Sequence, residues 1–179
     1  MSDLVPDLNC QYTEGVNFID MNSDGLDDLV YIDADGNAYL SINQGDGNRA
    51  AGKSPTFKRV SSTAMIKPTE GYTRDHVLLA DIDGDGRGDY GVLDDSGNVY
   101  FWRNGWIDDI PAYWQYLGQR FTGKNMGDLR GTRFEDVNGD ACSPFDLLFH
   151  ALTKSRVVTT GCGSTMWGKV MSTLTVEVV

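Results

Sequence analysis

The apolar residues of this chain fall in short runs. Leu29-Val30-Tyr31-Ile32 and Tyr90-Gly91-Val92-Leu93 are rich in β-branched or aromatic side chains, and each ends in a turn. Ala38-Tyr39-Leu40-Ser41-Ile42 and Val99-Tyr100-Phe101-Trp102 follow Ala34-Asp35-Gly36-Asn37 and Asp95-Ser96-Gly97-Asn98, where glycine supplies the positive φ of a tight turn. Short runs bounded by turn residues are strand signals, not helix signals. Thr56-Phe57-Lys58-Arg59-Val60, inside the linker from Gly45 to Thr73, fits an outer strand. The pattern predicts an all-β chain.

The strands belong to a repeat. Phe18 to Asn43 lies over Leu79 to Asn104 without a gap. Asp20, Asp24, Gly25, Asp28, Asp33, Gly36, Asn37, Tyr39 and Asn43 then match Asp81, Asp85, Gly86, Asp89, Asp94, Gly97, Asn98, Tyr100 and Asn104. Each unit reads apolar strand, acidic loop, strand, tight turn, strand. A third copy starts at Arg133-Phe134-Glu135-Asp136-Val137-Asn138-Gly139-Asp140. Copies begin roughly 55–60 residues apart, the range of propeller blades or solenoid units.

The loop inside each unit carries the chemistry. Asp20 to Asp28 and Asp81 to Asp89 both read D-x-[DN]-x-D-G-x-x-D. Asp20, Asn22, Asp24 and Asp28, or Asp81, Asp83, Asp85 and Asp89, can converge on one point, with the carbonyl of Leu26 or Arg87 as a fifth donor. Hard oxygen donors in a loop with glycine at position 6 suit Ca²⁺. Carboxylates crowded without a cation repel one another. An EF-hand needs Glu at position 12; Tyr31 and Val92 stand there, and strands rather than helices follow. The third loop keeps Asp136, Asn138 and Asp140, but Ala141 replaces the glycine and Pro144 replaces the ninth Asp. That loop is expected to hold calcium weakly or not at all, which leaves about two Ca²⁺ per chain.

These residues resemble FG-GAP/VCBS repeats, the calcium-loop blades of integrin α-chain and related β-propellers, over roughly residues 12–140. The Phe-Gly and Gly-Ala-Pro peptides that gave the repeat its name are absent. The resemblance implies a partial β-propeller of about three blades with calcium-binding loops, near 12–45, 73–105 and 128–140 onward. Rings usually close with four to eight blades, so the expectation is an open arc, a fragment of a longer propeller or a part of an oligomer. The resemblance also implies an extracellular, secreted setting. The implied function is a glycan- or protein-binding or structural unit; the alternative is the non-catalytic accessory part of a secreted hydrolase, an esterase or glycosidase.

Composition shifts beyond residue 140. Of the 26 acids, only Asp146 and Glu177 lie in 141–179. This segment is either a diverged last blade, with strands at 156–160 and 174–178, or a tail unrelated to the repeats. The net charge of −11 argues against nucleic acid and anionic membranes. No apolar run is long enough to cross a bilayer. Met1 to Pro6 lacks the basic start and apolar core of a signal peptide. Cys10, Cys142 and Cys162 match no zinc spacing, and their pairing cannot be read from sequence.

Little supports catalysis. There is no G-x-S-x-G elbow, and the carboxylate spacing is already accounted for by calcium. Arg87-Gly88-Asp89 spells an adhesion tripeptide, but Asp89 is committed to the loop. Tyr100, Phe101, Trp102, Trp106, Tyr113, Trp114 and Tyr116 form an aromatic cluster. Trp106 and Trp114 are the candidate ligand-binding residues, since a flat ring can cover the apolar face of a sugar. The same rings could instead pack between blades.

Overall fold

The computed structural model describes residues 14–61, 63–106 and 113–122 with their side chains. It also describes the backbone of residue 13 and of the strands Leu147–Ala151, Lys154–Thr160 and Thr173–Thr175. Among the described residues the chain is all-β, and every strand pairing is antiparallel. Its helical elements among the described residues are single 3-10 turns, such as Arg49–Ala51 and Arg74–His76.

The first sheet holds β1 (Val16–Ile19), β2 (Asp28–Ile32), β3 (Ala38–Asn43) and β4 (Phe57–Arg59), in that order. A fifth strand, β5 (Met65–Lys67), pairs with the start of β3. The second sheet holds β6 (Val77–Ala80), β7 (Asp89–Leu93), β8 (Val99–Asn104) and β9 (Trp114–Phe121), again in chain order. The third pairs β10 (Leu147–Ala151), β11 (Lys154–Thr160) and β12 (Thr173–Thr175).

The repeat in the sequence is a repeat in space. Leu29 pairs with Ser41, and its counterpart Tyr90 pairs with Trp102. The turns between these strands are also alike. Asp33 accepts the N–H groups of Asp35 and Asn37 and the hydroxyl of Tyr39; Asp94 accepts those of Ser96 and Asn98 and the hydroxyl of Tyr100. Gly36 and Gly97 sit at φ of 90° and 82°, as a residue without Cβ can. β4 lies where the pattern placed an outer strand.

The first two sheets share one core. Met21, Val30, Ile32, Ala38 and Leu40 from the first pack with Tyr90 and Val92 from the second, and Ile19, Trp102, Trp106 and Trp114 flank them. Tyr90 is fully buried, and its hydroxyl donates to the carbonyl of Gly36 at 2.8 Å across the seam. Burial holds the Tyr90 phenol well above its usual range, so it stays a donor. Trp114 Nε1 donates to the carbonyl of Ile66 at 2.8 Å.

β5 inverts the ordinary pattern. Met65 is exposed, while Lys67 is buried. The Lys67 ammonium lies 5.1 Å from the Tyr90 ring centre and 5.0 Å from that of Trp102, and it pairs with Glu70. Aromatic faces and one carboxylate replace the water that a buried charge loses.

Candidate metal-binding loops

Each acidic loop joins the first two strands of its sheet: residues 20–28 link β1 to β2, and residues 81–89 link β6 to β7. The first carboxylate organises the turn. Asp20 accepts the backbone N–H groups of Asn22, Ser23, Asp24 and Gly25 at 2.7–3.3 Å. Asp81 accepts those of Gly84, Asp85 and Gly86. Asp24 and Asp85 accept the N–H of Leu26 and Arg87. Gly25 and Gly86 take φ of 82° and 83°, the role expected of position 6. Position 4 is left-handed too, at Ser23 (62°) and Gly84 (75°), which the motif did not announce.

The ninth residue staples loop to sheet. Asp28 and Asp89 open β2 and β7 and are fully buried. Asp28 accepts the N–H of Met21 at 3.0 Å and of Asn43 at 2.8 Å; Asp89 accepts the N–H of Ile82 at 3.0 Å and of Asn104 at 2.7 Å. Burial pushes the Asp28 carboxyl up to about 6 and the Asp89 carboxyl up to about 7, against the pull of those hydrogen bonds. The neighbouring acids, Asp24 and Asp20 or Asp83 and Asp85, push the same way. A cation beside these carboxylates would reverse that pressure.

Asn43 and Asn104 complete the staple. Asn43 Nδ2 donates to the carbonyl of Asp27, and Asn104 Nδ2 donates to those of Gly88 and, across the seam, Met21. They are identical residues at equivalent places in the repeat. That identity was visible in the sequence, but their role was not.

In the second loop the acids converge. Asp81, Asp83 and Asp89 each bring a carboxylate oxygen within 4.8 Å of the others. Asp83 Oδ1 is buried with no hydrogen-bond partner. An orphaned, buried anionic oxygen beside two gathered carboxylates fits a hard divalent cation of the calcium type. Asp81, Asp83, Asp85 and Asp89 are the side chains that would hold it. No second trio of His, Cys, Asp or Glu is gathered this way among the described residues. In the first loop Asn22 takes the place of Asp83, and its Nδ2 donates to Asp24 at 3.0 Å.

The second loop also carries arginines. Arg87 pairs with Asp85 and donates Nε to the carbonyl of Asn104, while Arg103 on β8 pairs with Asp83 and Asp85. The two loops touch: Gly88 N–H donates to the carbonyl of Asp20 at 2.7 Å, and Ser23 Oγ approaches the carbonyl of Asp85 at 3.5 Å. A Cβ at Gly88 would meet Ile19 Cδ1 at 2.6 Å. With Gly88 wedged there and Asp89 buried, the Arg-Gly-Asp tripeptide is not presented.

Residues 20–92 match the family model of the FG-GAP-like repeat. This stretch is similar to FG-GAP-like repeats. The match begins at Asp20, position 1 of the first loop, and ends inside β7, so it takes in both acidic loops. No curated protein and no solved structure matches the chain.

Trp106 and Trp114 are half-buried and pack against the shared core. Tyr113 and Tyr116 beside them are more than half exposed, and the Tyr116 ring lies 4.9 Å from that of Trp102. Asp136, Asn138 and Asp140 lie outside the described residues, as do Cys10, Cys142 and Cys162. Among the described residues no helix is long and apolar enough to cross a membrane.

Proposed function

We propose that this chain is a calcium-binding FG-GAP-type module, an arc of β-propeller blades whose acidic loops are tied by Ca²⁺. It works outside the cytoplasm as a structural or binding unit. The observation that carries the reading is the gathering of Asp81, Asp83 and Asp89 around an unpartnered Asp83 oxygen. Calcium here is structural. It offsets carboxylates that already wrap the turn and staple it to the sheet. The core shared by two sheets related by the sequence repeat supports a blade-like stack.

The binding surface is aromatic. Tyr113 and Tyr116 expose rings on the second sheet, next to Trp106 and Trp114. Rings with nearby amides and acids suit a glycan or the face of a protein partner.

The test is thermal. A ligand bound only by the folded state stabilises by about 2.7 kcal/mol at a hundredfold excess over Kd. Chelator should lower the melting temperature, and millimolar calcium should restore it where equal ionic strength of sodium chloride does not. Identical melting curves in all three conditions would reduce the loops to polar turns.

A further inference from the structure

The two loops differ in one concerted way. Position 3 is Asn22 in the first loop and Asp83 in the second. Arg87 stands where the first repeat has Leu26, and Arg103 stands where it has Ile42. The extra carboxylate and the two arginines occur together, and the structure shows why. Arg103 reaches back from β8 to pair with Asp83, and its Nη2 lies 2.8 Å from Asp85 Oδ2. Arg87 pairs with that same Asp85 oxygen. At its four ligand positions the first loop thus presents three carboxylates, Asp20, Asp24 and Asp28, and it contains no arginine. The second presents four carboxylates offset by two guanidiniums.

An oxygen committed to a guanidinium is lost to a metal ion. Calcium affinity follows the charge and number of its donors, and a neighbouring positive charge opposes a second cation. Asp85 Oδ2 serves two arginines and Asp83 Oδ2 serves one, which leaves Asp83 only Oδ1 to offer beside Asp81 and Asp89, and Asp85 Oδ2 must exchange partners before it can join them. We propose that Arg103 is an internal counter-cation that competes with calcium for Asp83 and Asp85. It makes the second loop the weaker site, which fills after the first. This rests on the calcium reading above. The consequence is a graded response: one loop stays tied at low calcium, and the other ties only when calcium rises.

The experiment is a calcium titration of the full chain in which each loop reports separately. The amides of Gly25 and Gly86 both donate to a position-1 Asp, so their ¹H–¹⁵N signals report their own loops. In the natural chain Gly25 should shift at lower calcium than Gly86. Calorimetry on Asp24→Asn, which weakens the first loop, then isolates the second. Adding Arg103→Gln should tighten that remaining site roughly tenfold, the scale of one to two partly exposed ion pairs. Arg103→Lys, which keeps the charge, should change it little. Gly86 shifting first, or an unchanged or weaker site in Arg103→Gln, overturns the proposal even while calcium binds. Because the Gly25 and Gly86 order needs no variant, a misfolded Arg103→Gln still leaves a decisive result. If neither amide responds and no heat is seen in any variant, the calcium reading itself falls.

Discussion

Stability should depend on pH in an unusual direction, and calcium should abolish the dependence. Asp28 and Asp89 are fully buried, with carboxyls raised from the usual 3.8 to about 6 and about 7. A raised folded-state pKa means that the folded protein holds its proton more tightly than the unfolded chain does. The stability from these two groups is therefore fully present below pH 3.8 and is lost as pH rises through 6 and 7. Each unit is about 1.4 kcal/mol, so the two shifts amount to roughly 3 and 4 kcal/mol by pH 8 in the presence of chelator. That is a large part of the 5–15 kcal/mol typical of a domain. At the acid end, Asp33 and Asp94 act in the opposite sense. Burial raises them, but the Asn37 and Asn98 hydrogen bonds outweigh it and leave both lowered. Their contribution is present above 3.8 and is lost as pH falls through their folded values. Urea unfolding followed by tryptophan fluorescence, in chelator from pH 4 to 8.5, should show greatest stability near pH 4, a steep decline from about pH 4.5 to 7, and a plateau above 7. With millimolar calcium the decline should vanish, because the metal holds both carboxyls ionised. A flat profile in chelator between pH 5 and 8, or a decline that calcium leaves intact, would refute the reasoning.

The seam between the sheets gives two further expectations. Tyr90→Phe leaves the Gly36 carbonyl without its donor and should cost about 1–3 kcal/mol in urea unfolding; no loss would mean that water replaces the hydroxyl. Trp114→Ala removes a ring packed against the shared core and a hydrogen bond to Ile66, and it should cost about 3 kcal/mol. Full stability with loss of binding on a glycan array would instead mark Trp114 as a ligand platform.

The strands were legible because turns punctuate them. Ala34 to Asn37 and Asp95 to Asn98 carry glycine where the hairpin needs a positive φ, and the apolar runs between turns are too short for helices. The acidic loops were legible because their spacing repeats. Their internal division of labour was not. A motif gives all its carboxylates equal standing, whereas burial separates Asp28 and Asp89, which staple strands, from Asp81 and Asp83, which converge with Asp89 but are only partly buried. Arg103 could not be found from the loop at all. It lies on a later strand, and only antiparallel pairing of β7 with β8 returns it to Asp83 and Asp85. Lys67 was hidden for a different reason. A lysine in a short strand reads as a solvent-facing residue, and only the packing of two sheets supplies the rings of Tyr90 and Trp102 that accept its charge. Asn43 and Asn104 were visible as a matched pair, but a match in sequence does not say that the side chain caps a loop.

The central claim is that the acidic loops bind calcium through oxygen alone, and calorimetric titration of metal-stripped protein tests it most directly. The account predicts about two Ca²⁺ per chain, with Asp85→Ala removing the share of the second loop and leaving that of the first. A stoichiometry near zero, or a preference for zinc over calcium, would contradict it.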